Sequence, residues 1–155
     1  MAKPRWLVED LIVSCASDKV PSETAQKAVR AICRYFGGQM VYIPGVKADG
    51  ASAESLRGVI ADAVGDGHAE KILEKIMLLY GRMLVYIPQE NKAFSKTIAL
   101  EIYERLGKDG TTMPDLAREY RISVAHGYKL WKEGQAEKLR PSTPYLPFLE
   151  MAEKL

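Results

Sequence analysis

The chain has 155 residues, 47% of them apolar and 27% charged, and a net charge of only +2. This is enough apolar side chain for one ordinary core or two small ones, and too much for a disordered chain. A balance so near neutral means that any attraction for a polyanion must be local, and no apolar stretch approaches the roughly 20 residues that cross a bilayer, so no membrane span is expected.

At the N-terminus, Met-Ala-Lys-Pro-Arg-Trp leads into Glu9 and Asp10 without the uninterrupted apolar segment and small-residue cleavage site of a secretory signal. The reading is cytoplasmic. Leu7, Leu11, Ile12 and Cys15 form a first amphipathic candidate. Cys15 and Cys33 have no Cys-x-x-Cys spacing or nearby His pair, so buried free thiols are expected and neither a cofactor nor a metal.

Residues 28–44 (AVRAICRYFGGQMVYIP) align with residues 72–88 (ILEKIMLLYGRMLVYIP) without a gap, at a constant offset of 44. Each copy places apolar residues at helical spacing: Val29, Ile32, Cys33 and Phe36 in the first, Ile72, Leu73, Ile76, Leu79 and Tyr80 in the second. A glycine, a β-favouring Val-Tyr-Ile and a proline come next. The pattern predicts a helix, a stop at Gly37 or Gly81 in the left-handed conformation, and a short strand closed by Pro44 or Pro88. Upstream of the second copy, Leu56, Val59, Ile60 and Val64 match the first amphipathic candidate. Each repeat, about 5–44 and 54–88, therefore reads as helix, turn, helix, strand, with short connectors at Ser17–Ser22 and Gly65–Gly67 that imply antiparallel neighbours. One such unit has too little apolar surface to stand alone, so two pack together, within one chain or between chains. Alternation sends Val41 and Ile43 to one strand face and Met40 and Tyr42 to the other, which leaves Tyr42 and Tyr86 available to a partner.

Residues 89–94 read as a polar linker and Ser95–Leu106 as a helix carrying Ile98, Ile102, Tyr103 and Leu106 on one face. Thr112 with Asp115 resembles a capping box, and Pro114 suits a first turn. Beyond it come a helix to about Tyr120, a tight turn at Arg121-Ile122-Ser123 and a helix at Val124–Lys132, with Ser123 able to cap the last. Leu116, Ala117, Ile122, Leu130 and Trp131 face inward in a helix-turn-helix plan. Ser123, Val124, Ala125, His126, Tyr128, Lys129 and Lys132 are left to face a major groove. Ser123 and His126 can hydrogen-bond base edges, Val124 and Ala125 can touch a thymine methyl, and Arg121, Lys129 and Lys132 can pair with phosphates. Arg121 stands where a turn glycine is common, and Gly127 where such motifs often bury Val or Ile. Between Arg118 and Arg140, six basic residues (Arg118, Arg121, Lys129, Lys132, Lys138, Arg140) face three acidic ones (Glu119, Glu133, Glu137). A three-helix bundle that binds protein would show much the same pattern.

The glycine-led Val-Tyr-Ile-Pro at 37–44, its return at 85–88, and Asp-Leu-Ala-Arg-Glu-Tyr-Arg-Ile-Ser-Val with Tyr-Lys at 115–129 resemble the Mor/C family of phage middle and late transcription activators. The resemblance covers most of Leu56–Lys132. It implies a helical dimerisation region, a strand and a helix-turn-helix, a homodimer on double-stranded DNA at a dyad-symmetric promoter element, and recruitment of host RNA polymerase. It implies that Tyr86 and Tyr42 match a strand tyrosine lying close to DNA, and that Tyr128 and Lys129 match recognition-helix positions. Two departures stand out: the strand motif occurs twice here, and Gly127 interrupts the recognition helix.

The expected class is mainly α: a helical dimerisation domain with short β-strands over 1–88, the linker at 89–94, a helix-turn-helix domain over 95–133 and a C-terminal tail over 134–155. A protein-interaction module or co-regulator of the same fold, without autonomous DNA binding, is the alternative. It suits the near-neutral charge and the tail, where Pro141, Pro144 and Pro147 favour an extended segment that leaves Tyr145, Leu146, Phe148 and Leu149 to dock. For an enzyme, no Gly-rich phosphate loop, paired His or Ser/His/Asp order is present.

Overall fold

A computed structural model describes residues 4–17 and 19–139, with side chains from Val8 onward. Among the described residues the protein is mainly α with one two-stranded antiparallel sheet. It divides into two compact units, one ending at Phe94 and the other beginning at Ser95. Among the described residues no helix is long and apolar enough to cross a membrane. Arg140 and the proline-spaced tail from Pro141 lie outside the described residues.

The first unit contains α1 (Pro4–Cys15), α2 (Ser22–Phe36), β1 (Gln39–Ile43), α3 (Ala51–Val64), α4 (Asp66–Tyr80) and β2 (Met83–Ile87). In α2 the buried residues Ala25, Ala28, Val29, Ile32 and Cys33 recur every three or four positions, the spacing that aligns side chains on one helical face. In α4 the same face is Ala69, Ile72, Leu73, Ile76 and Met77. Leu79, expected inside, is 45% exposed, because the inward stripe passes through Met77. The connector expected at Gly65–Gly67 shrinks to Gly65 alone, whose φ of 89° lets α3 turn directly into α4.

The glycines that stop α2 and α4 differ from expectation. Gly37 (φ −61°, ψ 143°) and Gly81 (φ −57°, ψ 138°) are extended, and the left-handed residues are the next ones, Gly38 at φ 86° and Arg82 at φ 65°. This is the sequence of angles of a type II turn. Gly37 and Gly81 are required for space instead: a Cβ would stand 2.2 Å from the Cys33 carbonyl oxygen at the first and 2.3 Å from that of Met77 at the second.

Strands β1 and β2 pair antiparallel, with Val41 opposite Val85, Met40 opposite Tyr86 and Tyr42 opposite Leu84. The Gly38 N–H donates to the Ile87 carbonyl (2.6 Å) and the Arg82 N–H to that of Ile43 (2.7 Å). Ile43 and Ile87 are buried beneath the ribbon and line a small apolar cavity with Leu11, Ile32, Leu56 and Ile76.

Residues 89–94 are not the expected polar linker. Glu90–Ala93 is a one-turn helix, α5, and Phe94 is buried. The Glu90 carboxylate accepts from Arg30 Nε at 2.6 Å and from Arg34 Nη2 at 2.8 Å, and the Arg30 guanidinium lies over the Phe94 ring. Burial alone would raise the Glu90 carboxyl, but the hydrogen bonds from Arg34 and Arg30 outweigh it and hold its pKa below the ordinary value.

The second unit is built from α6 (Ser95–Arg105), α7 (Met113–Tyr120) and α8 (Val124–Leu139). The segment from residue 134, expected to be tail, is helical through Leu139 because α8 packs along α6. Gly134 marks the closest approach, where a Cβ would stand 2.2 Å from the Ala99 carbonyl oxygen. Ile98, Ile102, Met113, Leu116 and Leu130 form the core.

Candidate nucleic-acid interface

The N-terminus of α7 is closed by a reciprocal capping box between Thr112 and Asp115, with Pro114 in the first turn. Leu116 and Ala117 point inward. The helix ends at Arg121, which takes the left-handed conformation itself (φ 59°, ψ 46°). The backbone reverses there, and the Ile122 N–H returns to the Ala117 carbonyl at 2.9 Å. Ser123 then opens α8, its Oγ accepting from the His126 N–H at 3.0 Å. Its acceptor capacity is therefore partly committed to the helix end, while its hydroxyl proton can still donate to an anion.

Gly127 is buried, and the place of its missing Cβ is 2.6 Å from the Met113 sulfur. A thioether reaching across from α7 fills the space that a buried Val or Ile would occupy. The helix is unbroken, since α8 runs through the glycine. Leu130 anchors α8 in the core, and Trp131 is half-buried with its ring centroid 5.8 Å from that of Tyr103.

With Gly127 and Leu130 inward, Val124, Ala125, His126, Tyr128, Lys129 and Lys132 are all exposed on the N-terminal part of α8, and Ser123 and Arg121 are exposed just before it. Val124 at 41% and Tyr128 at 48% are large apolar surfaces presented to solvent, on the face of α8 opposite the one that packs on α6 and α7. The basic excess is smaller than a count suggests. Lys138 is held by Glu104 at 2.8 Å, and Arg118 lies 3.6 Å from Asp115. Lys129 and Lys132 have no carboxylate partner among the described residues.

A polar brace behind this surface was not anticipated. Tyr120 Oη donates to Glu101 at 2.8 Å and accepts from Arg105 at 3.1 Å, while Arg105 also holds Glu119 at 2.9 Å. Burial, assisted by the bond to Glu101, pushes the Tyr120 hydroxyl up to about 12. Hydrogen bonding to Glu119, then to Tyr120, raises the Arg105 pKa. The brace joins α6 to the last turn of α7, and its only local sign in the sequence is Glu101 four residues before Arg105.

Tyr42 and Tyr86 belong to the first unit. They lie on the exposed face of the ribbon, 48% and 40% accessible, together with Met40 and Leu84. Cys15 and Cys33 are buried free thiols, their pKa values raised by burial to about 11 and about 12.

A family model, that of the Mor transcription activator family, matches residues 48–146, well over half of the chain. The match takes in α3, α4, β2 and α5 to α8, and it leaves out residues 1–47. No curated protein and no solved structure matches the chain.

Proposed function

Because the chain belongs to the Mor transcription activator family, we propose that it is a sequence-specific DNA-binding activator of phage or prophage type, acting in the cytoplasm and recruiting host RNA polymerase. Helices α7 and α8 with the turn at 121–123 act as a helix-turn-helix. The first helix supports the second, and the N-terminal part of α8 enters the major groove. What carries this reading is the exposure of Val124, Ala125, His126, Tyr128, Lys129 and Lys132 on the same short stretch whose remaining residues turn inward, Gly127 and Leu130 buried and Trp131 half-buried.

Lys129, Lys132 and Arg121 contact phosphates, with the Ser123 hydroxyl as a further donor. Val124 and Ala125 meet thymine methyls, while His126 and Tyr128 reach base edges or the backbone. The ribbon tyrosines Tyr42 and Tyr86 contact DNA as aromatic donors. A dyad-symmetric element, which the resemblance implies is read by a homodimer, needs two recognition helices; each chain brings one, so two chains fill the element.

The test is the salt dependence of an electrophoretic shift on the promoter DNA. Lys129→Ala and Lys132→Ala should each weaken binding to every sequence and reduce the slope of log K against log[salt] by about 0.9. Val124→Ala and His126→Ala should instead narrow the gap between specific and non-specific DNA. Unchanged affinity and slope in both lysine variants would remove α8 as the reader.

A further inference from the structure

We propose that residues 1–47 occupy the place of a second subunit, so that one chain carries a complete ribbon with a single recognition helix and works as a monomer on a half-site. The half-site part rests on the DNA-binding reading above; the ribbon part does not.

Among the described residues, the stretch that matches the family model contains one strand, β2, and a lone strand leaves a row of N–H and C=O groups without partners. In this chain the partner is Gln39–Ile43, which lies outside the match. The pairing has the form of a two-fold contact, in which the same patch meets itself. Val41 and Val85, which are 44 positions apart, face each other at its centre, and the pair Met40–Tyr86 exchanges with Leu84–Tyr42 under the same offset. The terminal hydrogen bonds from Gly38 to Ile87 and from Arg82 to Ile43 exchange in the same way. So do the close approaches: Gly37 abuts Pro88 and Gln89, while Gly81 abuts Pro44 and Gly45. A self-complementary contact already closed inside one chain leaves no copy of itself to offer another chain.

Energetics favour the same outcome. A ribbon made from the β2 strands of two chains, with α4 of the second chain in the place of α2, would uncover Ile43 and the buried face of α2, and would separate Glu90 from Arg30 and Arg34. Tethering also gives the partner within the chain an effective concentration on the order of millimolar, which a second molecule rarely reaches.

The experiment uses the full chain. Sedimentation equilibrium of the unaltered protein should give 17.3 kDa over a wide concentration range. Opposed strand residues have Cα separations that a disulfide spans, so the double variant Val41→Cys/Val85→Cys should oxidise to a cross-link within one chain, seen as a monomer on a non-reducing gel. The burial and raised pKa of Cys15 and Cys33 keep them from competing. On DNA, an isolated half-site should bind as tightly as the full element, without cooperativity. A particle of twice the chain mass, or a disulfide joining two chains, overturns the proposal, and the mass measurement decides the matter even if the double variant fails to fold. A monomer with the internal cross-link that shifts no DNA would support the ribbon within the chain and overturn the DNA reading.

Discussion

Within the two halves of the first unit, the segments α2–β1 and α4–β2 have the same bounds at an offset of 44 on sequences that agree at few positions, whereas the helices before them differ: α1 joins α2 through residues 16–21 and α3 joins α4 through Gly65 alone. Both strands run exposed, exposed, half-buried, exposed, buried, and each is entered through a type II turn whose first glycine touches the exit of the other strand. The halves diverge again beyond the proline. After Pro44 the chain passes through Gly45, Val46 and Lys47, the last at φ 69°, toward α3. After Pro88 it forms α5, which the arginines of α2 grip through Glu90. Identity has been kept where backbones must approach each other, and it has been lost where the two exits lead to different destinations.

The most severe way to break the likeness is to fill the turn glycines. Gly37→Ala would set a Cβ 2.2 Å from one backbone carbonyl oxygen, 2.9 Å from another and 2.7 Å from a Cα, whereas at Gly81 only the Met77 oxygen is closer than 3 Å. Both variants should destabilise the protein by about 3 kcal/mol or more, Gly37→Ala the more strongly. Urea unfolding followed by circular dichroism measures this; equal or negligible losses would mean that the turns relax freely.

The next largest difference belongs to Glu90. Glu90→Gln should cost on the order of 1.5–3 kcal/mol, since it weakens charge-assisted bonds to two arginines in a half-buried site. Val46, the residue at the matching offset, has no such role. The Glu90 carboxyl has a lower pKa folded than its ordinary 4.5. Its contribution is therefore complete above about that pH and is lost as the pH falls through the folded value. Stability measured from neutral to acid should decline less steeply in Glu90→Gln than in the unaltered chain; parallel curves would show that the carboxylate contributes nothing.

These contrasts also show what the sequence discloses. The offset of 44 is visible because backbone demands recur as residue types: glycine at the turn, Val-Tyr-Ile in the strand, proline at the exit. The capping box at Thr112 and the left-handed Arg121 were equally legible, since caps and tight turns depend on a few neighbouring residues. Whether the two repeats pair within one chain or between chains was not, because periodicity assigns faces and leaves partners open. The grip on Glu90 comes from residues 56 and 60 positions away, so 89–94 looked like a linker. Gly134 gives no local sign that Ala99 passes beneath it, and nothing next to Gly127 in the sequence announces that Met113 fills its space.

A smaller difference lies at the second turn position, glycine in one half and arginine in the other. Gly38→Ala should lose about 1 kcal/mol, because a Cβ is disfavoured at its φ of 86°. Arg82→Gly should gain up to about 1 kcal/mol by relieving the same strain at φ 65°. The opposite signs are the test: a loss at Arg82 would mean that its side chain, which packs against Gly45, contributes more than the backbone conformation removes.

The smallest effect on stability, and the most informative about function, is expected on the exposed face of the ribbon. Tyr42 and Tyr86 are 48% and 40% accessible, so replacing either with alanine should change stability by no more than about 0.5 kcal/mol. The two-fold character of the pairing gives both rings the same setting, each opposite an exposed aliphatic side chain, Leu84 for Tyr42 and Met40 for Tyr86. If that face meets DNA along its own dyad, Tyr42→Ala and Tyr86→Ala should weaken binding by equal factors, although only Tyr86 lies within the family match. A loss confined to Tyr86→Ala would make β1 a structural partner that never touches DNA. No loss in either variant, with Lys129→Ala still impaired, would leave DNA reading to α8 alone.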